Sequence, residues 1–80
     1  MGEKVVFEGV VVGFEKDDAN KYLVSLQGSV GSEYKSFYLA VDEKTFNELM
    51  KLGVGRMIRG EGEILADNPT IVKLLSLNET

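Results

Sequence analysis

Residues 4–15 read KVVFEGVVVGFE, a run of β-branched and aromatic side chains that is interrupted by Gly9 and Gly13. Such a run predicts a long first β-strand. A glycine inside a strand usually marks a bulge or a tight bend at a barrel corner. The two glycines therefore allow this strand to curve enough to pair with two different neighbours.

The next two strands are predicted to form a hairpin. A polar loop over residues 16–20 leads into a second strand over 21–27, and residues 33–41 form a third strand. Residues 28–32 between them read GSVGS and predict the hairpin turn, because both glycines tolerate positive φ. Alternation in the third strand predicts a core-facing set and a hydroxyl-bearing set. The first set is Phe37, Leu39 and Val41, and the second is Tyr34, Ser36, Tyr38 and Ala40.

A short helix is predicted directly after the third strand. Asp42 is a favourable N-cap, and the carboxylate of Glu43 suits the positive end of the helix dipole. Apolar residues then recur at i, i+3 and i+4, the spacing of one helix face. They are Phe46, Leu49 and Met50. Gly53 is placed to end the helix, which we expect to cover residues 43–52.

Two more strands follow the helix, over residues 56–65 and 70–77, with a turn at residues 67–69 between them. The predicted order is β1-β2-β3-α-β4-β5 in one domain over residues 1–80. An all-β chain with one short helix at this place has the features of a five-stranded OB-fold barrel. An SH3-like barrel is the main competitor, but that fold usually has only a short 3₁₀ turn before its last strand.

The composition excludes several classes of chemistry. The chain has no cysteine and no histidine, which removes thiol nucleophiles, thiolate zinc sites and the Ser-His-Asp mechanism. We therefore expect a binding protein and not an enzyme, with no cofactor, no metal and no catalytic residues. Nine basic residues against thirteen acidic residues give a net charge of −4. This charge argues against general duplex binding but allows a local basic groove.

The same composition bears on location and source. No apolar signal segment opens the chain, and its longest apolar run, Val10 to Val12, is far too short to cross a bilayer. We therefore expect a cytoplasmic protein that does not contact a membrane. The lack of cysteine, histidine and tryptophan beside many lysines and glutamates is typical of a thermophilic source.

Residues 52–62 read LGVGRMIRGEG, which is similar to the helix exit and the glycine-bearing fourth strand of many OB domains. With the predicted topology, the chain from Val5 to Leu77 resembles the small stand-alone OB-fold single-stranded DNA-binding proteins of hyperthermophilic archaea. The resemblance implies binding of single-stranded nucleic acid, with DNA favoured over RNA. Ligands of OB domains usually cross the exposed face of strands two and three.

The predicted binding residues lie on that face or close to it. Tyr34 and Tyr38 are expected to stack on bases, and nearby cations are expected to contact phosphates. The full set is Tyr34, Tyr38, Lys16, Lys21, Lys35, Ser36, Gln27, Arg56 and Arg59. Each has an ordinary alternative, because tyrosines are common at barrel edges. Arg56 also suits a solvated helix exit, and Arg59 suits a cross-strand pair with a glutamate.

Two other functions stay open at this level. Exposed Leu23, Met57 and Leu65 would suit a protein-interaction module or self-association, as a monomer or a weak dimer. A hydrolase built on Glu61 and Glu63 is disfavoured, because two carboxylates on one strand face are usually a charged surface that discourages edge pairing.

Overall fold

The fold is known from a computed structural model that describes residues 2–78, so Met1, Glu79 and Thr80 of the predicted domain lie outside the described residues. The elements are β1 (Lys4–Lys16), β2 (Tyr22–Val30), β3 (Glu33–Val41), α1 (Glu43–Leu52), β4 (Met57–Asp67) and β5 (Thr70–Asn78). The strands close into a barrel in the order β1-β2-β3-β5-β4. Neighbouring strands are antiparallel except β3 and β5, which are parallel. The predicted OB-like fold is confirmed.

β1 curves between two partners, as its glycines predict. It pairs with β2 over Phe7–Lys16 and with β4 over Lys4–Val10, and its register with β2 shifts between Val11 and Gly13. The bulge at this shift carries the strand around the corner of the barrel. Inward-facing residues alternate along each strand, and in β1 the alternation changes parity at the bulge, from Phe7 and Val11 to Phe14. The buried apolar residues are Phe7, Val11, Val24, Leu26, Val30, Phe37, Leu39, Phe46, Leu49 and Val72.

The predicted turn over residues 28–32 is wrong in its extent. β2 continues to Val30, and the turn consists of Gly31 and Ser32, with Gly31 at φ +60°. Gly28 is a buried strand residue opposite Gly9. A Cβ atom at Gly28 would overlap the carbonyl oxygen of Glu8 and the Cα of Gly9. This glycine therefore allows two main chains to approach closely, and only Gly31 serves the turn.

The helix has the predicted bounds and caps. The Asp42 carboxylate accepts a hydrogen bond of 2.8 Å from the main-chain N–H of Thr45, and Gly53 ends the helix at φ +85°. Phe46 and Leu49 are buried against the barrel, but Met50 remains 50% exposed and does not join the core. No helix within residues 2–78 has the length and apolar character needed to span a membrane.

Replacing Gly28 with alanine is expected to unfold most of the protein. The added methyl group has no free space, because its nearest neighbours are main-chain atoms of β1. We expect a loss of about 4 kcal/mol or more, which is comparable with the whole stability of a small domain. Urea unfolding followed by circular dichroism measures the change.

Gly13→Ala is the matched control, since a Cβ atom there lies 3.8 Å from the side chain of Ser25, an ordinary contact. Equal stability of the Gly28→Ala and Gly13→Ala variants would contradict the close approach of β1 and β2.

Candidate functional site

The outward side of the β2–β3 hairpin, which we call the β2–β3 face, combines small polar residues with two tyrosines. Directly opposed pairs on it are Ser25 with Tyr38, Gln27 with Ser36, and Ser29 with Tyr34. Tyr34 is 77% exposed, whereas Tyr38 is half-buried. Both tyrosines thus lie on the side that the alternation predicts. They are four positions apart along the strand, a distance of about 13 Å, so they offer two separate aromatic surfaces.

Arg59 lies in the same cross-strand row as Tyr34, but an acid lies between them. The row runs from Arg59 on β4 to Glu8 on β1, then to Ser29 and Tyr34. The Nη1 atom of Arg59 is 3.8 Å from the Oε2 atom of Glu8. The structure therefore shows the cross-strand pair with a glutamate. Both side chains are about half exposed, so the pair is weak and Arg59 can be drawn away by an anion.

Lys35 does not belong to the β2–β3 face. It has the opposite parity to its neighbours Tyr34 and Ser36, so its side chain leaves the other side of β3. Its Nζ atom donates a hydrogen bond of 3.0 Å to the Thr70 hydroxyl and lies 3.2 Å from a Glu33 carboxylate oxygen. The expectation that Lys35 contacts phosphates beside the tyrosines is therefore not supported by its position.

The other predicted cations lie at the margins. Lys16 ends β1, with its Nζ atom 5.5 Å from the centre of the Tyr22 ring. Lys21 follows the β1–β2 loop, where its main-chain N–H donates to the Asp17 carboxylate at 2.9 Å. Arg56 lies between α1 and β4 and lines a separate groove with Lys51 and other residues of the helix. Lys16 and Lys21 are thus close to the end of the β2–β3 face, and Arg56 is not.

A groove of about 910 Å³ adjoins the end of the β2–β3 face and is lined in part by β5. We call it the apolar groove; its apolar lining is Tyr22, Leu23, Ala40, Val41, Leu65, Ile71, Leu74 and Leu75. Lys21 and Lys73 line it as well, together with the acids Asp17, Asp42 and Glu43. Lys73 is opposite Ala40 in the parallel β3–β5 ladder. The sequence reasoning missed Lys73, because its position depends on the strand order of the barrel.

Leu23, Met57 and Leu65, the apolar residues that were predicted to be exposed at a protein interface, do not form one patch. Leu23 and Leu65 both line the apolar groove. Met57 lies opposite Val10 on the β1–β4 side of the barrel and lines the groove beside α1. The structure therefore brings two of the three together.

Tyr22 is anchored to the helix and differs in this from Tyr34. Its hydroxyl donates a hydrogen bond of 2.9 Å to the Glu43 carboxylate, and its ring packs against Phe46 with centroids 4.9 Å apart. The hydrogen bond to Glu43, burial of the ring and the charge of Glu43 all raise the pKa of the Tyr22 hydroxyl above its ordinary value. Tyr22 is a packing residue at the margin of the site.

The two glutamates of β4, Glu61 and Glu63, have different cross-strand neighbours. Glu63 is opposite Lys4 on β1 and Lys73 on β5, whereas Glu61 is opposite Val6 and Ser76. Within residues 2–78 no group of three metal-ligating side chains is close enough together to hold an ion. The two glutamates belong to a mixed-charge strand surface.

Comparison with known proteins adds no relative. No protein-family model matches the chain, and a search of curated proteins finds no significant match.

Replacing Glu43 with glutamine is expected to lower the pKa of Tyr22. The glutamine amide can still accept the hydrogen bond, but the negative charge that opposes tyrosinate formation is gone. A pH titration of the Tyr22 ring carbons, followed by NMR, measures the midpoint of the ionisation of its hydroxyl group. Glu48→Gln, farther along the exposed side of α1, is the control. A Tyr22 midpoint that stays unchanged in Glu43→Gln would contradict the contact.

Proposed function

We propose that the protein binds single-stranded nucleic acid across the β2–β3 face, without catalysis. The observation that carries the proposal is the exposure of Tyr34 on a face where its nearest neighbours, Ser29, Gln27 and Ser36, are polar. With 77% of its surface in solvent, this ring contributes little to the core. Its opposite neighbour is Ser29, which leaves space over the ring. A flat aromatic surface in such a position can stack on any base.

Tyr38 supports the same mode of binding. It is half-buried beside Ile71 at the border of the apolar groove, so its ring is held in place before a ligand arrives. A base on Tyr38 would have Ser25 beside it, and a base on Tyr34 would have Ser29. Gln27 and Ser36 form the pair between the two tyrosines, where their side chains can hydrogen-bond to base edges.

The charges near the face favour stacking over phosphate contacts as the main source of affinity. Lys16 and Lys21 lie near one end, Lys73 lines the adjoining groove, and Arg59 becomes available only by leaving Glu8. A duplex binder would need a far denser cationic surface. Single strands suit this face better, because their bases are free to stack. The resemblance to small archaeal OB-fold proteins favours DNA as the strand.

The double variant Tyr34→Ala, Tyr38→Ala is expected to lose most of the binding. Each stacked base contributes about 1–3 kcal/mol to binding. Each alanine should therefore raise the dissociation constant roughly 5- to 150-fold. Titration of a fluorescent, unstructured DNA oligonucleotide at low salt, followed by anisotropy, measures this change.

The control is Tyr34→Phe, Tyr38→Phe, which keeps both rings and removes only the hydroxyl groups. It should bind within a few-fold of the unchanged chain. The proposal is wrong if the unchanged chain gives no saturable anisotropy response, or if the alanine variant binds as well as the phenylalanine variant.

A second candidate function is protein binding through the apolar groove. The observation that favours it is the exposure of Leu65 and Leu75, 46% and 44%, in the lining of the groove. Exposed apolar side chains that share one surface commonly mark interaction sites. The oligonucleotide titration separates the two candidates, since a chain that only binds a protein gives no response to DNA.

A further inference from the structure

Strand β3 has an unpaired edge over its first half. It pairs with β2 along its whole length, Glu33–Val41, but its ladder with β5 covers only Tyr38–Ala40. Residues 33–37 therefore have a neighbouring strand on one side only. The edge begins beside the two-residue turn and ends where β5 joins the barrel.

The hairpin register shows which main-chain groups point out of this edge. Val30 and Glu33 flank a two-residue turn, so they exchange hydrogen bonds with each other, and every second residue of β3 after Glu33 also bonds to β2. The N–H and C=O groups of Tyr34 and Ser36 consequently point away from β2. Among the described residues 2–78, no main-chain hydrogen bond reaches these groups from outside the barrel ladders.

The edge has limited protection against pairing. Natural proteins block exposed edges with proline, bulges, covering segments or charged side chains, and lysine above all. Residues 33–37 carry two charged side chains, Glu33 and Lys35, which pair with each other. Residues 33–37 contain no proline, and the β2–β3 ladder has no register shift. Tyr34, which points outward on this edge, is the most exposed large apolar side chain of the described residues. The edge is therefore available to an added strand.

We propose that this edge pairs with the same edge of a second copy of the chain, antiparallel about a twofold axis. A self-complementary surface closes into a dimer because each copy offers the same groups to the other. Two registers bring outward-pointing groups of the two copies together. The first centres the axis on Tyr34, which then pairs with Tyr34 of the other copy, while Ser36 lies opposite the turn residue Ser32. The second centres the axis on Lys35 and pairs Tyr34 of each copy with Ser36 of the other.

Charge selects the first register. With the axis at Tyr34, Lys35 of each copy lies opposite Glu33 of the other, and two ion pairs form between the copies. With the axis at Lys35, the two lysines face each other. Within one chain Lys35 and Glu33 are already 3.2 Å apart, and both side chains are partly exposed. The Tyr34 register therefore extends an existing pair into a network of four charges.

The resulting dimer is weak, because the paired segment is short and its ion pairs are near solvent. It joins the hairpins of the two copies into one sheet, with Tyr34 and Tyr38 of both copies on the same outward side. The association uses main-chain groups of β3 and the side chains of Glu33 and Lys35, which do not belong to the β2–β3 face. It does not require nucleic acid and can be tested separately from the proposed binding.

Sedimentation velocity on the full chain without nucleic acid tests the proposal. We expect a reversible monomer–dimer equilibrium at protein concentrations up to about 1 mM. Lys35→Glu or Glu33→Lys alone places like charges opposite each other and should weaken the dimer at least about tenfold. The double variant Glu33→Lys, Lys35→Glu restores opposite charges and should restore the dimer.

Two further variants separate edge pairing from effects on folding or net charge. Lys44→Glu on exposed α1 changes the net charge as Lys35→Glu does and should leave the dimer unchanged. Tyr34→Pro removes the outward N–H that the Tyr34 register uses while sparing the β2–β3 ladder, and should abolish the dimer. A monomer at every concentration overturns the proposal. So does a dimer that survives both single charge reversals or Tyr34→Pro, or one that the double reversal fails to restore.

Discussion

The structure depends on the close approach of main chains at three glycines. At Gly28, Gly60 and Gly62 a Cβ atom would overlap atoms of the neighbouring strand. At Gly28 the neighbour is β1, and at the other two glycines it is β5. Without side chains there, the strands pack closely enough for five of them to close around Phe7, Leu26 and Leu39, which are fully buried. Closure fixes which residues of each strand point inside. The outward direction of Tyr34 and Tyr38 follows from it.

Features that depend on local spacing could be predicted from the sequence. The helix over 43–52 and the third strand over 33–41 have the predicted bounds, because their caps and periodicity involve residues only a few positions apart. Gly28 was predicted in a turn and lies in a strand. A glycine needed for positive φ and a glycine needed for close approach look the same in a sequence. Only the path of β1 distinguishes them.

The candidate site also combines features that local spacing predicts with features that depend on contacts between distant strands. Alternation along β3 was enough to place Tyr34 and Tyr38 outward, and the same alternation excludes Lys35, whose sequence neighbourhood had suggested otherwise. The pair of Arg59 with Glu8, and the position of Lys73 beside Ala40, require the strand order of the closed barrel. Contacts between distant strands set the charge of the surface. The sequence alone therefore predicted its aromatic residues better than its cations.

The central claim is that a single strand of nucleic acid lies on the β2–β3 face. The most direct measurement is an amide NMR spectrum of the labelled protein during titration with a short unlabelled DNA oligonucleotide. The account predicts that the largest shift changes occur at Ser25, Gln27, Tyr34, Ser36 and Tyr38, while the amides of α1 remain unchanged. Shift changes concentrated at Lys51, Arg56 and Met57, or no changes at all, would contradict it.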